Sequence, residues 1–285
     1  MSLKRKSCDS KALATRVRAH ALNMTHNARA SHIGSSLSVA DILTVLYSRI
    51  LRIDPARPDW PMRDRFILSK GHAAAALYAV LSESGFLQKN SLKTYCQDDS
   101  ALGGHASMKV SGVDFSTGSL GHGLAIGSGM ALAAKRDRCR YRVFVLLSDG
   151  ECNEGSIWEA AMFAAHHRLD NLTAIIDYNK LQAFGRVEDV LDLEPLAEKW
   201  KSFGWSTQEI DGHNHVKIEG ALSRVPLKSG KPSCIIAHTV KGKGVSFMED
   251  QLDWHYKSPD IKQLTSALIE LGVPNNDLPP WGQRR

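Results

Sequence analysis

Two short polar stretches, 30 positions apart, have the residue types to hold a divalent cation with an anion beside it. Ser148-Asp149-Gly150 ends the apolar run Val143-Phe144-Val145-Leu146-Leu147, and Asp177-Tyr178-Asn179 ends the apolar run over 172–176. Short, partly β-branched runs of this kind read as buried strands. The Asp149 carboxylate, the Asn179 amide oxygen and a nearby backbone carbonyl are hard oxygen donors. Water and two phosphate oxygens would complete the octahedron that magnesium prefers. Gly150 lets backbone amides approach a phosphate, and a helix N-terminus just beyond adds positive partial charge. Singly, an Asp or Asn here would most often only shape a turn. The pairing of two strand ends is what points to a cation and a diphosphate.

For those ends to meet, the strands must be parallel and adjacent, joined through the helix expected over 154–167. That helix has acids early and basic groups late, as its dipole favours. Open α/β sheets place ligands at the carboxyl ends of their strands. Other strand-turn-helix units add residues to the same edge. A strand over 66–69, the turn Lys70-Gly71-His72 and an Ala-rich helix over 73–84 put His72 there. A strand over 233–237 runs into the cationic, Gly-rich segment 238–244, which contains Lys241. A further strand is expected over 205–210. Helices are expected over 10–30, from a Ser38 cap to Arg49, and over 121–135, 194–203, 215–224 and 259–271. The small side chains of 121–135 imply close packing. The segment 102–123, rich in Gly and Ser, reads as a long loop. The result is an α/β fold, doubly wound, with a mainly parallel sheet and helices on both faces. It forms one domain over 1–285, with 274–285 as a surface tail.

Composition narrows the partners. The net charge is +6 and the pI about 9.0. The basic residues are dispersed and no aromatic-basic module accompanies them, which favours an anionic cofactor and sugar phosphates over nucleic acid. The five cysteines lack paired or metal-type spacing, as expected of a reducing cytoplasm. No apolar stretch follows the basic residues 1–7, so no signal peptide is read there, and no run has membrane-spanning length. The glycines of 118–123 follow no strand and do not make a dinucleotide fingerprint.

Asp149-Gly150, the helix and Asn179 resemble the magnesium-diphosphate motif of thiamine-diphosphate enzymes. The flanking Glu154-Gly155, Trp158-Glu159-Ala160-Ala161 and Leu169-Asp170-Asn171-Leu172 are similar to the transketolase branch, with Ser148 where the family usually has Gly. Further matches are Ser31-His32-Ile33-Gly34-Ser35, Gly71-His72, Gly103-Gly104-His105, Thr117-Gly118-Ser119-Leu120-Gly121 and Trp254-His255. After His255 the family more often has Gly than Tyr256. The resemblance covers nearly the whole chain but only the first third to half of a full-length transketolase.

The resemblance implies a diphosphate-binding domain that takes thiamine diphosphate with Mg²⁺, or Ca²⁺ or Mn²⁺ in its place. It assigns the metal to Asp149, Asn179 and the Leu181 carbonyl. Cofactor contacts fall to Ser35, His72, Gly118, Ser119, Leu120, Asp149, Gly150, Asn179, Lys241 and His255. His32, His72, His105, His255 and Glu154 become the catalytic group, with His32, His105 and His255 expected to shuttle protons near neutral pH. Glu154 and Glu159 fall in a chain of acids at a dimer interface. The family's pyrimidine-binding domain, with its activating Glu, would follow the last residue of this chain. The implied protein is therefore the N-terminal subunit of a split transketolase, completed in an α₂β₂ assembly by a C-terminal subunit. It would transfer a two-carbon ketol unit between a ketose (phosphate) and an aldose (phosphate). Two alternatives remain: transfer to a carrier protein's lipoyl or thiol group, and a non-catalytic scaffold role.

Overall fold

The apolar runs pair as their pattern requires. β1 (Arg65–Leu68), β2 (Val143–Ser148), β3 (Leu172–Tyr178), β4 (Ser206–Asp211) and β5 (Ser233–His238) form one sheet, all parallel, in the order β1-β2-β3-β5-β4. The computed structural model describes residues 9–273; the expected tail over 274–285, Cys8 and the basic residues 1–7 lie outside them. Every residue of β2 and β3 is buried, the signature of parallel strands covered on both faces.

The covering helices are α1 (Ser10–Ala28), α2 (Ile33–Val45), α3 (Ala74–Glu83), α4 (Gly123–Arg136), α5 (Gly155–His166), the short α6 (Val187–Val190), α7 (Leu196–Ser202), α8 (His215–Ser223) and α9 (Ile261–Glu270). Alternate side chains of the strands enter two separate cores. Phe144, Leu146, Ile175 and Ile235 pack with α1, α2, α3 and α8, whereas Val145, Leu147, Ala174 and Ile236 pack with α4, α5 and α7. Helices therefore lie on both faces, as expected of a doubly wound sheet. The small residues of α4 bring it close to the sheet: a Cβ on Gly127 would sit 2.5 Å from Val145 Cγ2. No helix among the described residues is long and apolar enough to cross a membrane.

One helix start differs from the sequence reading. Ser38 does not cap α2; the helix begins at Ile33, after His32 in a left-handed conformation (φ 73°). Ser38 is buried within α2, where its hydroxyl donates to Ser35 O at 3.0 Å and to Asp177 Oδ2 at 2.7 Å. A serine inside a helix with a buried acceptor has no need of the capping position. The same helix ends at Val45 and passes into a wider π turn over Leu46–Ile50.

Candidate functional site

A cavity of about 430 Å³ opens where the carboxyl ends of β1, β2, β3 and β5 and their following loops converge. The register sets Ser148 opposite Asp177, which brings the next residues of each strand together. Asp149 Oδ2 accepts the Lys180 N–H at 2.7 Å, and Oδ1 accepts the Gly150 N–H at 2.7 Å. Asn179 is held at both ends of its amide: Nδ2 donates to Asp177 Oδ2 at 3.1 Å, and Oδ1 accepts the Leu181 N–H at 3.1 Å. The Leu181 carbonyl accepts Lys241 Nζ at 2.8 Å. Each of these oxygens spends one lone pair on the protein and keeps another.

A carboxylate, an amide oxygen and a peptide carbonyl suit a hard cation such as Mg²⁺. Among the described residues no group of three or more His, Cys, Asp or Glu side chains is placed to hold a metal ion, so a cation here depends on the amide and carbonyl oxygens. Two further polar side chains are incompletely used. Asn153 Nδ2 donates to Gln182 Oε1 at 3.2 Å, leaving Asn153 Oδ1 and Gln182 Nε2 buried without partners. Whichever way round the two amides are written, one donor and one acceptor remain unspent. Gln182 Cγ lies 3.3 Å from where a Cβ on Gly150 would project, so the glycine keeps the space beside Asp149 open. These features fit a cation with a diphosphate.

Four histidines gather at the same cavity. The His32 ring centroid is 5.1 Å from His72, 6.0 Å from His105 and 5.0 Å from His255, and His72 lies 6.0 Å from His255. They come from four separate segments that the backbone ties together. His32 N–H donates to His255 O at 2.9 Å, and Gly242 N–H donates to Gly34 O at 3.0 Å. Lys241 Nζ reaches His255 Nδ1 at 2.9 Å. An ammonium has only donors, so His255 accepts at Nδ1 and carries its proton on Nε2.

The charges are arranged against further positive charge. Burial, then the neighbouring His105, Lys241 and Lys70, lower His32 to about 4. Burial, followed by Lys241, lowers His255 to about 3, and burial with Lys70 holds His72 well below its ordinary value. Lys241 itself falls to about 8, through burial and then Lys70. Asp149 moves the other way, to about 6, through burial and the charge of Asp177. His32 and His255 are therefore neutral at pH 7 in this chain. They act as hydrogen-bonding groups, and the expected proton shuttling near neutral pH requires added negative charge in the cavity. An anionic ligand would supply it.

Most of the residues anticipated from sequence meet here. Ser35, Gly118, Leu120 and Gly150 line the cavity with the histidines, Asp149, Asn179, Leu181 and Lys241, and Glu154 stands exposed at its rim. Ser119 is exposed and lies outside the lining, as does Glu159 on α5. The sequence reading missed the supports. Lys70 and Asp177 form a fully buried ion pair, and Thr239 and Ser38 also donate to Asp177. Glu151 is fully buried, receiving Ser69 Oγ and the Gly121 N–H. The available signal was a charged residue at the end of a buried strand, present at both Lys70 and Asp177.

Comparison with known proteins identifies the family. Residues 9–275 match the family model described as transketolase, thiamine diphosphate binding domain. The chain is 43% identical over 250 residues to an apulose-4-phosphate transketolase subunit from Phocaeicola vulgatus, covering 88% of this chain and 89% of that protein. It is 44% identical over 241 residues to the 6-deoxy-6-sulfo-D-fructose transketolase subunit SqwG of a Clostridium species, covering 84% and 88%. Among solved structures, the transketolase of Campylobacter jejuni superposes with a TM-score of 0.89 at 31% identity, over 96% of this chain and 44% of that one. The Pichia stipitis transketolase complex with sedoheptulose-7-phosphate gives 0.85 at 30%, over 93% and 41%. This chain thus spans less than half the length of those solved enzymes.

Proposed function

The chain belongs to the transketolase family, and from that premise we propose that it is the N-terminal, diphosphate-binding subunit of a split transketolase. With a partner subunit it would move a two-carbon ketol unit from a ketose to an aldose. The observation that carries this reading is the Asp149–Lys180 hydrogen bond, which joins two strand tips into one oxygen-lined site beside buried cationic groups.

Asp149, Asn179 and the Leu181 carbonyl would hold Mg²⁺, or Ca²⁺ or Mn²⁺ in its place. His72, the backbone at Gly150, Lys241 and the unspent Gln182 amide would receive the diphosphate. Ser35, Gly118 and Leu120, which line the cavity, would complete the cofactor contacts, and the structure leaves Ser119 outside that lining. Thiamine diphosphate, when bound, supplies the electron sink for cleaving a carbon–carbon bond next to a ketose carbonyl. The chain's own groups orient and move protons. Neutral His255 offers its Nε2–H to a substrate oxygen, because Lys241 occupies Nδ1. His32 stands in ring contact with both His255 and His105, and the three are placed to bind hydroxyls.

The partner proposed is a C-terminal subunit with the pyrimidine-binding domain, in an α₂β₂ assembly in the cytoplasm. Glu154 and Glu159 would lie at the interface. Apolar side chains left in water support an interface: Phe184, 84% exposed beside the cavity, and Met162 and Phe163 on α5. The names of the two relatives point to phosphorylated or sulfonated ketoses as the donor class. Calorimetry with thiamine diphosphate and Mg²⁺ tests the site, and Asp149→Ala should abolish the heat. Ketol transfer after mixing with the partner tests the activity. Transfer only to a carrier thiol, or none with the site fully loaded, would replace the reading with one of its two alternatives.

A further inference from the structure

A buried polar cluster lies behind the loop that carries Lys241, and none of its members touches the cavity. At its centre is Asp41 on α2, 5% exposed. Arg18 on α1 grips it with two bonds, Nη1 to Oδ1 at 3.1 Å and Nη2 to Oδ2 at 2.6 Å. His215, at the start of α8, meets Oδ1 at 2.9 Å, and His213 meets Oδ2 through Nδ1 at 2.8 Å. Burial opposes the charge on Asp41, but the two histidines and Arg18 outweigh it and keep the carboxylate ionised. An ionised carboxylate only accepts, so His213 has its proton on Nδ1.

The other ring nitrogen faces a backbone amide. Val240 N–H donates to His213 Nε2 at 2.8 Å. A peptide N–H can only donate, so Nε2 must be an unprotonated lone pair. The two partners together fix the ring as the neutral Nδ1–H tautomer. Val240 is bonded directly to Lys241, whose ammonium reaches the Leu181 carbonyl and His255.

The surrounding backbone is fitted closely enough to transmit that contact. Gly212 N–H donates to His238 O at 2.8 Å, and a Cβ on Gly212 would stand 2.5 Å from Thr239 Cγ2. On the other side, Arg18 Cδ lies 3.3 Å from where a Cβ on Gly244 would project. The turn after β4 and the Arg18 side chain thus hold the 238–244 segment at both ends.

We propose that His213 is a positioning residue for the cofactor site: with Asp41 fixing its ring, it sets through Val240 where the Lys241 ammonium sits. The inference rests on the reading of Lys241 as a cofactor-facing group, and its tests separate the two. The first measurement needs no cofactor. Nitrogen-15 spectra of the histidine side chains should show His213 as the neutral Nδ1–H tautomer, and the Val240 amide should exchange faster in His213→Leu than in the unaltered chain. An Nε2–H tautomer, a protonated ring or unchanged Val240 exchange overturns the proposal.

The second measurement is a double-mutant cycle on thiamine diphosphate affinity with Mg²⁺, by calorimetry. His213→Leu should weaken binding roughly tenfold, Lys241→Met more, and the double variant no more than Lys241→Met alone. His213→Gln, whose amide can both donate to Asp41 and accept from Val240, should stay within about threefold of the unaltered chain. Additive losses would mean that His213 stabilises the fold without acting through Lys241, and would overturn the assignment. If His213→Leu fails to fold, His213→Asn, too short to reach both partners, takes its place in both arms. A chain that shows the expected tautomer and exchange but binds no cofactor keeps the His213–Val240 contact and sinks the cofactor reading instead.

Discussion

Lys70, just after β1, pairs with Asp177, in β3, across the tip of the strand between them, and both side chains are fully buried. Asp177 also accepts from Ser38 at 2.7 Å and from Asn179 Nδ2 at 3.1 Å. One buried carboxylate therefore fixes three segments and turns the Asn179 amide so that its oxygen faces away from Asp177. Burial pushes Asp177 up, and Lys70 with the hydroxyl donors outweighs it, so the net shift is downward.

Removing one partner strands a buried charge. Lys70→Met or Asp177→Asn should cost about 3–5 kcal/mol in urea unfolding. The paired replacement Lys70→Met with Asp177→Leu should recover much of that stability, because apolar packing can replace a buried ion pair. It should not recover Mg²⁺-dependent cofactor binding, because Asn179 loses the contact that orients it. Recovery of both would show that the pair serves stability alone.

Asp149 must be ionised to hold a cation, and burial with Asp177 sets it near 6. Metal-dependent cofactor affinity should be full above that pH and fall by up to about tenfold per unit below it, one proton per cation. The metal-free chain follows the opposite sign. A carboxyl raised above its unfolded value of about 3.9 contributes stability below that value and loses it as pH rises through the folded one. Mg²⁺ with cofactor should thus raise Tm more at pH 7.5 than at pH 5.5; an equal shift at both would show that Asp149 is not a ligand.

Lys241→Met should raise the His255 pKa from about 3 part of the way towards its ordinary value. The rise is partial because burial, the larger cause, remains. Histidine NMR titration reads the shift directly. Cofactor affinity should fall at least tenfold in the same variant, as the buried cation proposed to face the diphosphate is lost. An unmoved His255 would show that the two side chains do not share one environment.

Gly71→Ala places a Cβ 2.5 Å from the Thr117 carbonyl oxygen and 2.6 Å from Thr117 Oγ1. Neither is the tip of a flexible side chain, since Thr117 Oγ1 is itself held on Leu68 O at 2.6 Å. The substitution should cost about 1–3 kcal/mol. It should also displace His72 and Gly118 together, seen as weaker cofactor binding with secondary structure unchanged by circular dichroism.

The parallel sheet, its five strands and the meeting of Asp149 with Asn179 were all legible in the sequence. Apolar runs of four to seven residues ending in Asp, Asn, Lys or Gly are local signals, and parallel winding brings every such end to one edge. The four histidines were named through motifs that resemble the transketolase family; His32, His72 and His105 lie in Gly- and Ser-rich stretches, whereas His255 stands between Trp254 and Tyr256. The start of α2 was not legible, because Ser38 has the residue type of a cap and only the buried carboxylate of a distant strand shows what its hydroxyl binds.

What the linear chain determined was which groups reach the edge: their types, their order and the strand each follows. What the tertiary structure decided was how those groups are charged and which way they point. Lys70 and Asp177 are 107 positions apart, and His213 and Asp41 are 172 apart, so no periodicity relates them. Their pairings set the amide orientation of Asn179 and the tautomer of His213, while Lys241 sets the tautomer of His255 and burial beside His105 keeps His32 neutral. Those properties arise from burial and from neighbours brought in by other strands, and neither exists until the sheet has closed.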